Sequence, residues 1–198
     1  RRKETIGDID LIATTSKPRE LALAFKSLPE VTRVVESGEE KIAVHYTSGL
    51  SGDLLILPPA AYGAALLHFT GSRAHNILLR ELAIKKGMKL SEHGLFKGKK
   101  CIAMGTEELI YKALGLVWIP PELRVGSDEI DAARHHDIPT LIAYGSLKGD
   151  LQIQTDWTDG TASIQEMARA GKEAGLSYMA VTDHTQALAM TGGLDEKK

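Results

Sequence analysis

The sequence predicts an α/β fold, and two observations carry that expectation. Short strand-like runs, β-branched or alternating and closed by turn residues, trade places with stretches of helical periodicity. Near the end, a strand, a helix and a second strand follow in order, the pattern of a βαβ unit of a parallel sheet or barrel.

In chain order, residues 6–13 form an apolar strand, and Pro18 sits in the first turn of a short helix over 18–28. Residues 31–36 are β-branched, residues 41–46 alternate, and a Gly-Ser turn at 48–52 leads into a strand over 53–57. Pro58 and Pro59 end this sheet. Helical patterns then run over 61–69 and 75–86, with a break at Thr70-Gly71-Ser72 between them. Lys85 and Lys86 suit the last turn of the second helix, and Gly87 suits its C-terminal cap. Short strands and turns fill 88–105, and Thr106 caps a helix reaching Leu114. Residues 119–123 read as an extended connection, and 126–148 as a polar linker with one short helix at 127–134. A strand at 151–154, a turn at 157–160, a helix over 163–174 and a strand at 178–181 make the βαβ unit.

The chain has 198 residues, 43% hydrophobic and 25% charged, which is ordinary for a globular protein of one or two domains. A net charge of −2 excludes a global basic field, so any nucleic-acid contact must come from local clusters such as Lys97-Gly98-Lys99-Lys100. Cys101 is the only cysteine and cannot form an internal disulfide, and it reads as a packing residue. No apolar stretch has the length of a membrane span and no signal peptide is visible, so no membrane partner and a reducing, cytoplasmic location are expected. Arg1 stands where an initiator Met would be, and the chain reads as a piece of a longer polypeptide.

Chemistry concentrates first at Gly7-Asp8-Ile9-Asp10. Residues i and i+2 of a strand share a face, so Asp8 and Asp10 leave the same side of an apolar run. Like charges so placed call for a divalent cation, and hard oxygen ligands suit Mg²⁺ together with the phosphates of a substrate. A third carboxylate, Asp53, opens the run Leu54-Leu55-Ile56-Leu57. The Asp pair alone does not carry a metal site against the ordinary alternative of solvated acids at a strand end. His75 is expected to pack or to lie at the surface, and His135-His136 to lie at the surface.

Phe69-Thr70-Gly71-Ser72-Arg73-Ala74-His75-Asn76-Ile77-Leu78-Leu79-Arg80, taken with Gly7-Asp8-Ile9-Asp10 and Asp53-Leu54, resembles the palm and thumb of the family X DNA polymerases, over roughly residues 1–125. The resemblance implies an α+β nucleotidyltransferase palm at 1–59, with an antiparallel or mixed sheet, and an α/β thumb at 60–125. It implies a repair-type, gap-filling DNA-directed DNA polymerase joining a deoxynucleoside triphosphate to a primer 3′-hydroxyl on gapped or primer–template DNA. Asp8, Asp10 and Asp53 would be catalytic and hold two Mg²⁺ ions, with Mn²⁺ as a substitute. Arg2, Phe69, Thr70, Gly71, Ser72 and Asn76 would bind the nucleotide, and Arg80 and Lys85 the DNA. His68 stands where the family usually has Tyr, beneath the sugar. The family's Gly-Ser phosphate-binding turn lies outside the chain, which leaves the activity of the piece by itself open. A monomer associated with the nucleoid is implied.

After a linker at 126–149, residues 150–198 resemble the start of a PHP (polymerase and histidinol phosphatase) domain, through Asp150-Leu151-Gln152-Ile153-Gln154, Asp159 and Thr182-Asp183-His184. The family pattern has His-x-His where this chain has Gln152-x-Gln154. Glutamine is a poor replacement for imidazole at a Zn²⁺ or Mn²⁺ site. Asp159 and His184 remain as matching ligand positions, so a degenerate site with its metals absent or reduced is expected. The alternatives carried beside the polymerase are a nucleotidyltransferase acting on tRNA or a small molecule, and a non-catalytic DNA-end-binding fragment.

Overall fold

The computed structural model describes residues 1–195, which form two compact units, one spanning Arg1–Pro139 and one beginning at Thr140. In the first unit the chain runs through β1 (Asp8–Thr14), α1 (Pro18–Lys26), β2 (Val31–Ser37), β3 (Lys41–Tyr46) and β4 (Ser51–Leu57). The sheet order is β1-β4-β3-β2, with β1 parallel to β4 and the other pairs antiparallel. β4 therefore inserts between β1 and the hairpin, and the register sets Asp10 opposite Asp53. Period-2 alternation gives the sheet two apolar sides. Ile42, Val44, Leu54 and Ile56 pack on Ala22 and Phe25 of α1. Leu55 and Leu57 pack on the other side against Ala61 and Ala65. Asp8, Asp10 and Asp53 share parity with this second side and lie beyond the end of its apolar cover.

That cover is α2 (Tyr62–Thr70), entered through Pro58 and a 3₁₀ turn at Pro59–Ala61. No side chain caps α2. Its first N–H groups instead donate to Gly105 O (3.1 Å) and Met104 O (2.9 Å). α3 (Arg73–Lys85) follows, with Ser72 Oγ accepting from the His75 N–H at 3.2 Å. A three-stranded meander of β5 (Lys89–Ser91), β6 (Gly94–Lys97) and β7 (Lys100–Ala103) precedes α4 (Glu107–Ala113), which Thr106 caps. A 3₁₀ turn at Pro121–Leu123 occupies the middle of the expected extended connection.

α5 (Glu129–Arg134) follows, and its Ile130 and Ala133 lie in the same core as Leu67, Leu79, Leu95 and Ile110. The first part of the expected linker is thus packed structure, because two apolar residues three apart share a helix face. His135 and His136 are exposed, as expected. In the second unit, β8 (Gly149–Ile153) and β9 (Tyr178–Val181) pair in parallel across α6 (Ile164–Glu173). Ser163 and Glu166 form a reciprocal capping box at the start of α6. The sheets are open, and no barrel closes among the described residues.

Candidate functional site

Asp8 and Asp10 project from alternate positions of β1, and Asp10 faces Asp53 across the parallel pair. Partial burial raises the Asp10 carboxyl above its usual range, and the negative charges of Asp8 and Asp53 push it further. Lys41 and His68 offset part of this rise. Lys41 Nζ lies 2.9 Å from Asp53 Oδ2 and 3.6 Å from Glu36 Oε2. Its ammonium is held above the ordinary lysine value, chiefly by the hydrogen bond to Asp53. Among the described residues no three or more His, Cys, Asp or Glu side chains are gathered as a ready-made metal site. The donor chemistry nevertheless fits a hard divalent ion: Asp8, Asp10 and Asp53 stand on one sheet face, and the charges of Asp8 and Asp53 add to the effect of burial at Asp10.

Beside Asp10 a cleft of about 450 Å³ opens between the sheet and α3. Its wall is the end of α2 and the turn that follows, from His68 to Ser72, together with Asn76 and Arg80 of α3. Gly71 is buried at φ 65° and ψ −155°, a backbone conformation that L side chains rarely adopt, and the Gly71–Ser72 peptide is cis. Asn76 and Arg80 share a face of α3, as their spacing predicts, and both reach back to His68. The Asn76 amide donates to His68 O at 2.6 Å, and the Arg80 guanidinium lies 2.9 Å from His68 Nδ1. A guanidinium can only donate, so Nδ1 accepts. Burial holds the His68 pKa below its usual value, so the neutral ring carries its proton on Nε2. Phe69 meets the His68 ring edge-on at 5.1 Å.

Other expected residues fall elsewhere. Arg2 pairs with Glu122 at 3.3 Å, and it is Arg1 that lines the cleft. Lys85 is exposed in the last turn of α3. Sequence reasoning missed Lys41, although its alternation with Ala43 on β3 placed it on the carboxylate face. It also missed what holds the start of α3. His75 is fully buried, not at the surface, with Nδ1 2.8 Å from Glu129 Oε1 and Nε2 2.8 Å from the Tyr111 hydroxyl. Glu129 also accepts from the Gly126 and Ser127 N–H groups. Buried Arg124 makes a bidentate pair with Glu107 at 2.7 and 2.8 Å, and its carbonyl accepts from the Ser72 N–H at 3.4 Å.

In the second unit the structure brings Asp159 and His184 together, with Oδ1 3.7 Å from Nε2. Gln154 does not join them, because its amide donates to Thr182 Oγ1 at 3.1 Å, and Gln152 is exposed. Asp183 accepts from both Thr155 Oγ1 and Thr158 Oγ1 at 2.6 Å and from the Thr155 N–H at 2.7 Å. These donors hold its carboxyl below the ordinary range.

Residues 65–125 match the DNA polymerase beta thumb family. The whole chain is 35% identical over 202 residues to the DNA polymerase/3′-5′ exonuclease PolX of Bacillus subtilis, and it spans 35% of that protein's length. Over 154 residues, covering 63% of the chain, it is 29% identical to DNA polymerase lambda of Rattus norvegicus, of which it spans 27%. The fold is similar to that of Leishmania infantum polymerase beta in a ternary gap complex. The TM-score is 0.54 at 21% identity, over 63% of this chain and 59% of that one.

Proposed function

Because this chain belongs to family X of the DNA polymerases, we propose that it carries the catalytic part of a DNA-directed DNA polymerase of the gap-filling, repair type. The chain spans about a third of its Bacillus subtilis relative, so the activity, the substrates and the monomeric state are this proposal's own. One observation carries it: three carboxylates share a sheet face, and one of them, Asp10, lines a cleft whose other wall is the Gly71 turn and the Asn76–Arg80 face of α3.

Asp8, Asp10 and Asp53 hold two Mg²⁺ ions, or Mn²⁺ in their place. Bound there, such ions lower the pKa of an attacking 3′-hydroxyl and stabilise the charge on the transferring phosphoryl group and departing pyrophosphate. The protein's own part is placement. Thr70, Gly71 and Ser72 let the sugar and triphosphate approach backbone that carries no side chain at its centre. Phe69 supports the sugar, Asn76 bonds the incoming base, and Arg80 reaches the template once both let go of His68. Arg2 serves the nucleotide phosphates, with Arg1 already at the cleft, and Lys85 serves the DNA backbone.

Residues 1–59 act as palm and 60–125 as thumb. From residue 150 the chain opens a PHP domain whose phosphoesterase site is degenerate, since Gln152 and Gln154 replace imidazole ligands and only Asp159 and His184 remain paired. Offering gapped DNA, tRNA and small alcohols as acceptors with dNTP and Mg²⁺ tests the proposal. Transfer to gapped DNA is the expected result, and preferential transfer to another acceptor overturns it.

A further inference from the structure

Lys41 is a cation on the carboxylate face, and its position is set by the sheet. On β3, Ala43 lies opposite Asp53 and Lys41 opposite Leu55, so Lys41 is the diagonal neighbour of Asp53 on the same face. Its Nζ is 2.9 Å from Asp53 Oδ2. On its other side, Glu36 of the edge strand β2, which lies opposite Ala43, offers Oε2 at 3.6 Å.

We infer that Lys41 is an internal counter-ion: it occupies Asp53 when no metal is bound and passes to Glu36 when a divalent ion takes Asp53. The inference rests on the reading of Asp8, Asp10 and Asp53 as metal ligands and adds a residue that this reading does not contain. An ammonium and a divalent cation repel one another, so both cannot share one carboxylate at close range without loss. Lys41 therefore competes with the metal for Asp53 while relieving the repulsion among the three acids in the metal-free protein. The bridge is partly exposed, and such pairs are weak enough for a divalent ion to displace. Glu36 makes the exchange reversible, because the displaced ammonium keeps a partner within side-chain reach. Lys41 is thus a positioning residue, which acts on the metal through Asp53.

Binding of Mn²⁺ alone to the whole chain, read from the loss of the free-ion EPR signal, tests the exchange. Lys41→Gln should bind Mn²⁺ roughly fivefold tighter than the native protein, and Lys41→Arg should match the native affinity. With EDTA present, Lys41→Gln should melt at a lower temperature, because the acids lose their counter-ion. Glu36→Gln should act in the opposite direction and bind Mn²⁺ several-fold more weakly, because Lys41 then has only Asp53. This second variant keeps the test decisive if Lys41→Gln fails to fold. Unchanged Mn²⁺ affinity in a folded Lys41→Gln, or in Glu36→Gln, overturns the exchange. Asp10→Asn separates the two readings: if Mn²⁺ binding survives it undiminished, the metal site itself is wrong and the role of Lys41 falls with it.

Discussion

His75 is held between two groups that fix where its proton sits. Glu129 accepts, so Nδ1 carries hydrogen, and the Tyr111 hydroxyl donates to Nε2. Burial keeps the His75 pKa below 6.5 in spite of the neighbouring carboxylate, whereas the unfolded chain takes up its proton near the ordinary value. Between those two points the unfolded state binds more protons, so stability rises with pH. The contribution of neutral His75 is complete above its unfolded pKa and drains away as pH falls toward the folded one. Thermal melts from about pH 7.5 to about pH 5.5 should therefore show a falling Tm, with a flatter slope in His75→Gln. At neutral pH, His75→Gln should cost about 1–3 kcal/mol, because a buried donor–acceptor chain is left incomplete. Equal slopes in the two proteins would refute this account. The network was illegible in the sequence because its members are 36 and 54 residues apart. The acidic pair was legible because Asp8 and Asp10 are two apart in a strand, and only the period of a strand is needed to bring them together.

α2 is the element on which the cleft is hung, and glycine lets it sit where it does. A Cβ on Gly63 would lie 2.2 Å from the Thr106 Cα, a contact with backbone that no rotamer relieves. The same close approach lets the Gly63 and Ala64 N–H groups reach the carbonyls of Gly105 and Met104. Gly63→Ala should destabilise the first unit by on the order of 2–3 kcal/mol, read as a lower midpoint in urea with the slope unchanged. A midpoint within error of the native one would mean that α2 is free to shift.

Most elements were legible because their punctuation is local. Pro18 opens α1, Thr106 caps α4, and the strand over 41–46 is observed at the expected residues. The misreadings came where tertiary packing outweighs composition. The short helix expected within 127–134 is observed as α5, but its packing was not read: Ile130 and Ala133 put one face into the core. The proline-rich stretch after Ile119 curls into a 3₁₀ turn, where Arg124 meets Glu107. Arg124 and Glu107 are both buried, and loss of either partner strands the other's charge.

At the scale of the molecule, the two units treat potential metal ligands in opposite ways. The first unit keeps three carboxylates on one face, while the second ties Gln154 to Thr182 and Asp183 to Thr155 and Thr158. If the second site is degenerate for want of imidazoles, the double change Gln152→His and Gln154→His should create Zn²⁺ binding that His184→Ala abolishes. Equilibrium dialysis measures this. Tight, His184-dependent Zn²⁺ binding by the native chain would contradict a degenerate site. A net charge of −2 gives no global basic field, so the proposed function assigns contact with DNA to local groups such as Arg80 and Lys85.

The central claim is that Asp8, Asp10 and Asp53 together perform nucleotidyl transfer at a DNA 3′-end. It is tested most directly by insertion of one dNTP into single-nucleotide-gapped DNA with Mg²⁺, comparing the native chain with Asp10→Asn and with Asp8→Ala plus Asp53→Ala. The account predicts Mg²⁺-dependent insertion by the native chain and a loss on the order of 10³-fold in each variant, with gapped-DNA gel shifts retained. Insertion at the native rate in either variant would contradict it.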